Sequence, residues 1–123
     1  MRTLPSFSIT AFSDASEQER GLVGWDQRYM QMGSGRFEGT VVSMDFGRVS
    51  ISEERLNVSV AETTAPPVGK VVLILPAPAP DSRINGARRA SPGFLHLGGH
   101  EISVVTDTTT QGYYVTLDES DLP

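Results

Sequence analysis

Cysteine is absent from the 123 residues. That excludes a disulfide framework, a thiolate metal site and a cysteine nucleophile, and it agrees with a reducing compartment, so a cytoplasmic location is expected. Histidine is nearly absent too, with His96 and His100 alone, and Trp25 is the only tryptophan. Basic residues are short: 10 Lys and Arg stand against 15 Asp and Glu, for a net charge of −5. Nucleic-acid readers neutralise phosphates with a basic face. The one tight basic cluster here is Arg88-Arg89, so direct nucleic-acid binding by this chain is not expected. No apolar run has the length of a signal-peptide core or a membrane span, and no membrane partner is expected.

What is present reads as β structure behind a short helical preface. The length suits one domain. Residues 1–13 read as an arm in which Phe7 and Ile9 alternate, able to pair as an edge strand. Ser13-Asp14-Ala15-Ser16 supplies helix N-cap residues, and Ser16 with Glu19 matches the capping box. A short helix is expected to about Leu22, ended by Gly24. From Trp25 onward the period is two. Asp26 to Met32 reads as a strand with Gln27, Tyr29 and Gln31 on one face and Arg28, Met30 and Met32 on the other. Gly33-Ser34-Gly35 reads as a tight connection, and Arg36 to Phe46 as the returning strand. Further alternating segments follow at Val49 and Ile51 and at Leu56, Val58 and Val60. Glu53-Glu54-Arg55 is either a turn or a continuation of the strand before it.

Pro66-Pro67-Val68-Gly69 is a connector. Lys70 to Leu75 is a continuous apolar strand, expected to be the most buried in the chain. Pro76-Ala77-Pro78-Ala79-Pro80 cannot pair inside a sheet and reads as an extended surface loop. Asn85-Gly86 is the strongest hairpin signal, because both residues tolerate the left-handed backbone of a type I′ turn. Phe94 to Leu97, a Gly98-Gly99 turn, Glu101 to Thr106, and a last strand with Tyr113, Val115 and Leu117 on one face complete the pattern. Many short strands need their edges hidden. A small barrel or a two-sheet jelly roll does this, and a sandwich also fits the pattern.

Trp25, Gln27-Arg28-Tyr29, Gln31, Gly35, Phe37 and Gly39 form a pattern that resembles one near the N-terminus of AraC-type bacterial transcription regulators. The match is densest over residues 14–46 and continues through Arg83-Ile84-Asn85-Gly86 and Leu97-Gly98-Gly99-His100-Glu101. The resemblance implies a mainly β, cupin-like jelly-roll barrel (a double-stranded β-helix) with one short N-terminal helix. Residues 1–24 would be the arm and helix, and residues 25–123 the barrel. It implies an effector-sensing domain that binds a small molecule, or a partner, and signals to a separate helix-turn-helix DNA-binding domain. That second domain is not within these residues, so DNA would be reached only through it. A homodimer is a further possibility for such a sensor. The arm at residues 1–13 is the expected lid over the barrel mouth.

Trp25, Arg28, Tyr29, Gln31 and Phe37 are the candidate ligand-binding residues, since they join apolar area to a few oriented polar groups. The competing reading is structural: Trp25 and Tyr29 as core with satisfied polar tips, and Arg28 in an ion pair. Cupin enzymes use His-x-His, a Glu and a distant His around a metal, so His96, His100 and Glu101 are the alternative metal set. Here the spacing is His-x-x-x-His with no third histidine. Four residues of strand span about 13 Å, so only the Gly98-Gly99 turn would bring the two together. No nucleophile constellation or phosphate cradle is visible. No enzyme activity and no cofactor are therefore expected. The Glu53-Glu54 and Asp118-Glu119 carboxylates read as solvated surface. The rivals to the sensor reading are a small metal-dependent cupin enzyme and a protein-interaction module without a pocket.

Overall fold

The computed structural model describes residues 5–76, 82–88, 93–108 and 110–123. The expected Pro76–Pro80 loop and the Arg88-Arg89 cluster lie largely outside them. The described chain is mainly β. A six-stranded sheet has the order β1-β3-β4-β11-β6-β9, and a five-stranded sheet has the order β2-β5-β10-β7-β8. In chain order the strands are β1 (Ser6–Phe12), β2 (Asp26–Gln31), β3 (Gly39–Asp45), β4 (Val49–Leu56), β5 (Val60–Ala65), β6 (Lys70–Pro76), β7 (Arg83–Ile84), β8 (Ala87–Arg88), β9 (Phe94–Leu97), β10 (Ile102–Val105) and β11 (Thr110–Asp118). Every pairing is antiparallel. From β4 onward the pairs are nested: β4 with β11, β5 with β10, β6 with β9, β7 with β8. Successive strands of this set alternate between the two sheets, except at the β7–β8 hairpin in the middle. Among the described residues no ladder joins the sheets, so they do not close into a barrel.

Local chemistry accounts for several of these elements. Asn85 (φ 50°) and Gly86 (φ 82°) both take the left-handed backbone that the β7–β8 turn requires. Gly47 (φ 90°) turns β3 into β4, with its N–H donated to Asp45 Oδ1 at 2.8 Å. The arm becomes β1, paired with β3 over its whole length. It therefore lies along a sheet edge, and no β1 residue lines the interior cavity described below. The helix α1 spans Ala15–Gln18, shorter than the capping box suggests. Asp14 caps it by accepting from Ser16 N at 2.8 Å. Glu19 does not fold back onto the cap; its Oε1 accepts from Tyr29 N at 3.2 Å, so it ties the loop to β2 instead.

Three expectations need correction. β2 and β3 are not a hairpin, because they belong to different sheets and residues 32–38 cross between them. Leu56, Val58 and Val60 do not share one strand, because β4 runs on through Glu53-Glu54-Arg55, one of the two readings left open, and the break falls between Leu56 and Val60. Asn57 serves that crossing loop: its Oδ1 accepts from Glu38 N at 2.7 Å and its Nδ2 donates to Arg36 O at 2.9 Å.

The third correction concerns the direction of the alternation. On the six-stranded sheet the more apolar phase points outward. Phe7, Met44, Ile51, Val115, Leu73 and Leu95 are consecutive partners across all six strands, and Phe7 and Leu95 are 62% and 67% exposed. The opposite phase, with Ser43, Ser52, Glu54 and Tyr114, faces the other sheet. Apolar content alone therefore misreads which side of these strands is inside. A filled core does exist at one end, where Ala15, Tyr29, Phe37, Leu56, Val58 and Val60 cluster and Phe12 packs against them. In β6, Val71, Val72 and Ile74 are buried while Leu75 is exposed.

Candidate functional site

Away from that filled end the sheets separate around a cavity of about 70 Å³. Ile74, Ile84, Phe94, Ile102 and Val104 give it apolar walls, and Trp25 and Tyr114 give it aromatic ones. Each arrives by strand parity: Ile74 from β6, Phe94 from β9 and Tyr114 from β11 on one sheet, and Ile84 from β7 with Ile102 and Val104 from β10 on the other. Trp25 comes from the loop after α1, held by its own N–H donated to Leu22 O at 3.2 Å. Trp25 and Tyr114 stand 5.6 Å apart, centroid to centroid. Both also line a neighbouring polar cleft of about 280 Å³ containing Ser43, Ser50, Ser52 and Lys70. They are the partition between cleft and cavity.

Two buried carboxylates face this space, Glu54 of β4 (3% exposed) and Glu62 of β5 (8% exposed). Their surroundings differ. Glu54 Oε2 accepts from Tyr29 Oη at 2.7 Å and from Gln18 Nε2 at 3.3 Å, and Oε1 accepts from Tyr114 Oη at 3.1 Å. Gln18 reaches it because Gly39 has no side chain: a Cβ there would sit 1.7 Å from Gln18 Oε1. Burial pushes the Glu54 carboxyl above its ordinary value, against the three donors that favour its ionised form. Burial, reinforced by the Glu54 charge, raises the Tyr29 and Tyr114 hydroxyls well above theirs. Among the described residues Glu62 Oε1 is buried with no hydrogen-bond partner. Burial first and then the Glu54 charge hold it well above the ordinary carboxyl range. None of the ion pairs among the described residues involves either glutamate.

The threonine, serine and glutamine side chains of the lining hold protein partners. Thr64 Oγ1 donates to Gln27 Oε1 at 2.7 Å, which also receives Tyr29 Oη at 3.2 Å. Gln27 Nε2 donates to Glu19 O at 3.3 Å. Thr106 Oγ1 accepts from Val60 N at 2.9 Å, and Ser82 Oγ accepts from Asp107 N at 3.0 Å. Glu62 Oε1 is thus an open acceptor in a mostly apolar space. Such a site suits binding of a small apolar body that brings one donor.

Of the five residues singled out for ligand contact, Trp25 lines the cavity. Tyr29 is buried with its hydroxyl on Glu54, and Phe37 is buried in the filled core. Arg28 and Gln31 are exposed. Gln31 staples the crossing loop, donating to Gly33 O at 2.8 Å and Gly35 O at 2.9 Å. In the alternative metal set, His96 is buried and its Nε2 donates to the His100 carbonyl, while the His100 and Glu101 residues are exposed. Burial lowers the His96 imidazole below its ordinary value. Among the described residues no three His, Asp or Glu side chains converge as metal ligands.

Glu54 and Glu62 were missed. Glu54, grouped with Glu53, read as solvated surface, yet it is among the least exposed residues. The signal was in the parity: Glu54 is in phase with Leu56, and Glu62 with Val60 and Thr64. Comparison with known proteins supplies no relative: no family model, no curated protein and no solved structure matches the chain.

Proposed function

We propose that this chain is the effector-sensing domain of an AraC-type transcription regulator and that its effector occupies the cavity beneath Trp25. The observation that carries this reading is a mostly apolar space between the sheets holding an unpartnered acceptor, Glu62 Oε1, the combination expected of a small-molecule pocket. The resemblance supports it residue by residue. Trp25 walls the cavity, Gln27 and Tyr29 belong to the hydrogen-bond network at its floor, and Gly39 admits Gln18 to that network. The nested pairing of β4–β7 with β8–β11 supports reading the two sheets as the double-stranded β-helix of a cupin. The apolar outer face of the six-stranded sheet offers a seat through which a change in the barrel reaches a DNA-binding domain.

Trp25 is a built-in reporter, since it is the only tryptophan. A small-molecule library is screened by Trp25 fluorescence, and hits are located by amide and methyl NMR. Binders that shift Trp25 together with Ile102 and Val104 are expected. The chain is then fused to an AraC-type DNA-binding domain, and those binders are expected to change reporter transcription. Binders that leave transcription of the fusion unchanged count against regulation. A library with no binder at the cavity removes the sensor reading.

A further inference from the structure

We propose that the cavity selects a small primary amine, bound as its ammonium ion against Glu62 with its hydrocarbon part between Ile74, Phe94 and Val104. This rests on the effector-sensing reading and names the ligand class of the same site.

The first argument is charge. Two carboxyl groups share a buried space whose described lining includes no Lys, Arg or His. Glu54 is compensated by Tyr29, Tyr114 and Gln18, but among the described residues Glu62 Oε1 has no partner. Groups that titrate and face Glu62 from the packed elements are Tyr29 on β2, Glu54 on β4 and Tyr114 on β11. The β7 and β10 walls add only apolar side chains. A buried ionised carboxylate is stable only when paired, and the Glu54 charge disfavours a second negative charge beside it. An ammonium ion supplies the missing counter-charge and the missing donor with one group. An anion meets repulsion from both acids, and a neutral alcohol supplies a donor but no charge.

The second argument is shape. Trp25, Phe94 and Tyr114 all line the space, and aromatic rings can stabilise cations. The third is size. A water-sized occupant needs about 10–15 Å³ of such volume, so about 70 Å³ admits a ligand of about five or six heavy atoms. Burial and the Glu54 charge raise the Glu62 carboxyl well above its ordinary value, so pairing an ammonium ion with its ionised form is linked to release of any proton the free protein holds there. Affinity therefore rises with pH until the free amine loses its own proton.

The probes are butylamine, 1-butanol and butyrate, titrated into the wild type and Glu62→Gln with Trp25 fluorescence as readout. Butylamine is expected to bind at least about tenfold tighter than 1-butanol, about 1.4 kcal/mol of preference, with butyrate excluded. Calorimetry in buffers of different ionisation enthalpy should record proton release with the amine alone. Glu62→Gln should erase the amine preference, bringing butylamine binding down to the level of 1-butanol in the same variant. A thermal melt checks that this isosteric variant folds, and Glu62→Met, which removes polarity altogether, is the second test of the same loss. Equal binding of butylamine and 1-butanol, or an amine preference that survives both variants, overturns the proposal. If 1-butanol or butyrate alone binds, the amine class falls and effector sensing stands. If no probe moves Trp25, the amine class falls, and the library screen decides the sensor reading separately.

Discussion

The two ends of the space between the sheets are built on opposite terms. At the filled end, Phe37, Leu56, Val58 and Val60 close around Tyr29. There the one polar tip, the Tyr29 hydroxyl, is spent on Glu54 and Gln27. At the cavity end the walls are equally apolar, but packing stops short and Glu62 remains without a donor. Close packing is the norm in protein interiors, and buried polar atoms are nearly always bonded. One end obeys the packing rule and the other breaks it; the cavity end adds the unpartnered Glu62 oxygen, while Gln18 Oε1 beside Gly39 is unpartnered too. The contrast separates residues that hold the fold from residues held open by it: stabilising changes belong at the cavity end and destabilising ones at the filled end.

The largest expected effect is at the filled end. Phe37→Ala leaves a void that the surrounding strands cannot collapse into, and should cost about 3–5 kcal/mol, read from urea unfolding. A loss under about 1 kcal/mol, typical of surface substitutions, would erase the distinction between the two ends. Next is the hydrogen-bond floor between them. Tyr29→Phe removes the 2.7 Å donor to Glu54 while keeping the ring, and should cost about 1–3 kcal/mol, the penalty for stranding a buried acceptor. The sign reverses at the cavity end. Glu62→Met replaces an unpartnered carboxyl with a flexible apolar chain and should raise stability by about 1–3 kcal/mol at pH 8. Lowered stability would mean that Glu62 supports the fold, and the contrast would fail.

These assignments bear on what was legible in the chain. Turn chemistry was: Asn85-Gly86 and Gly47 fall where the backbone needs positive φ, because a turn is a local decision. Strand locations were legible for the same reason. The facing of strands was not, because the alternation around Ile51 and Val115 leaves open which face is inside, and both lie on the outer face of the six-stranded sheet. Alternation reports that two faces differ; only the opposing sheet decides which is inside. The tie between Glu19 and β2 was hidden by an adequate local alternative, the capping box. Trp25 was found because aromatic residues mark recognition and core alike. Glu54 and Glu62 were passed over because charge is ordinarily exposed, and their partners Gln18, Tyr29 and Tyr114 come from α1, β2 and β11, remote in sequence.

The smallest expected effect is the dependence of stability on pH, and it tests the two glutamates together. Glu54 and Glu62 are both raised in the folded state above the ordinary 4.5. The native protein therefore holds more protons than the unfolded chain between that value and the raised ones. Stability from these groups is complete below about pH 4.5 and falls as pH rises through their folded values. Asp14 and Glu53 work the other way: their carboxyls are lowered, Asp14 by its bonds from Ser16, and Glu53 by donors from Arg55 and Gln111 that outweigh a burial effect of opposite sign. Their contribution is lost as pH falls through those lowered values. Opposed slopes place the stability maximum on the acid side of neutrality, at about pH 5. Glu62→Gln deletes one of the two downward slopes, so its unfolding midpoint should change less than that of the wild type between pH 5 and pH 8, two pH values bracketing the usual stability optimum. Parallel curves for the two proteins would mean that Glu62 is ionised in the folded state at pH 5, and the cavity end would then contain a partner for it.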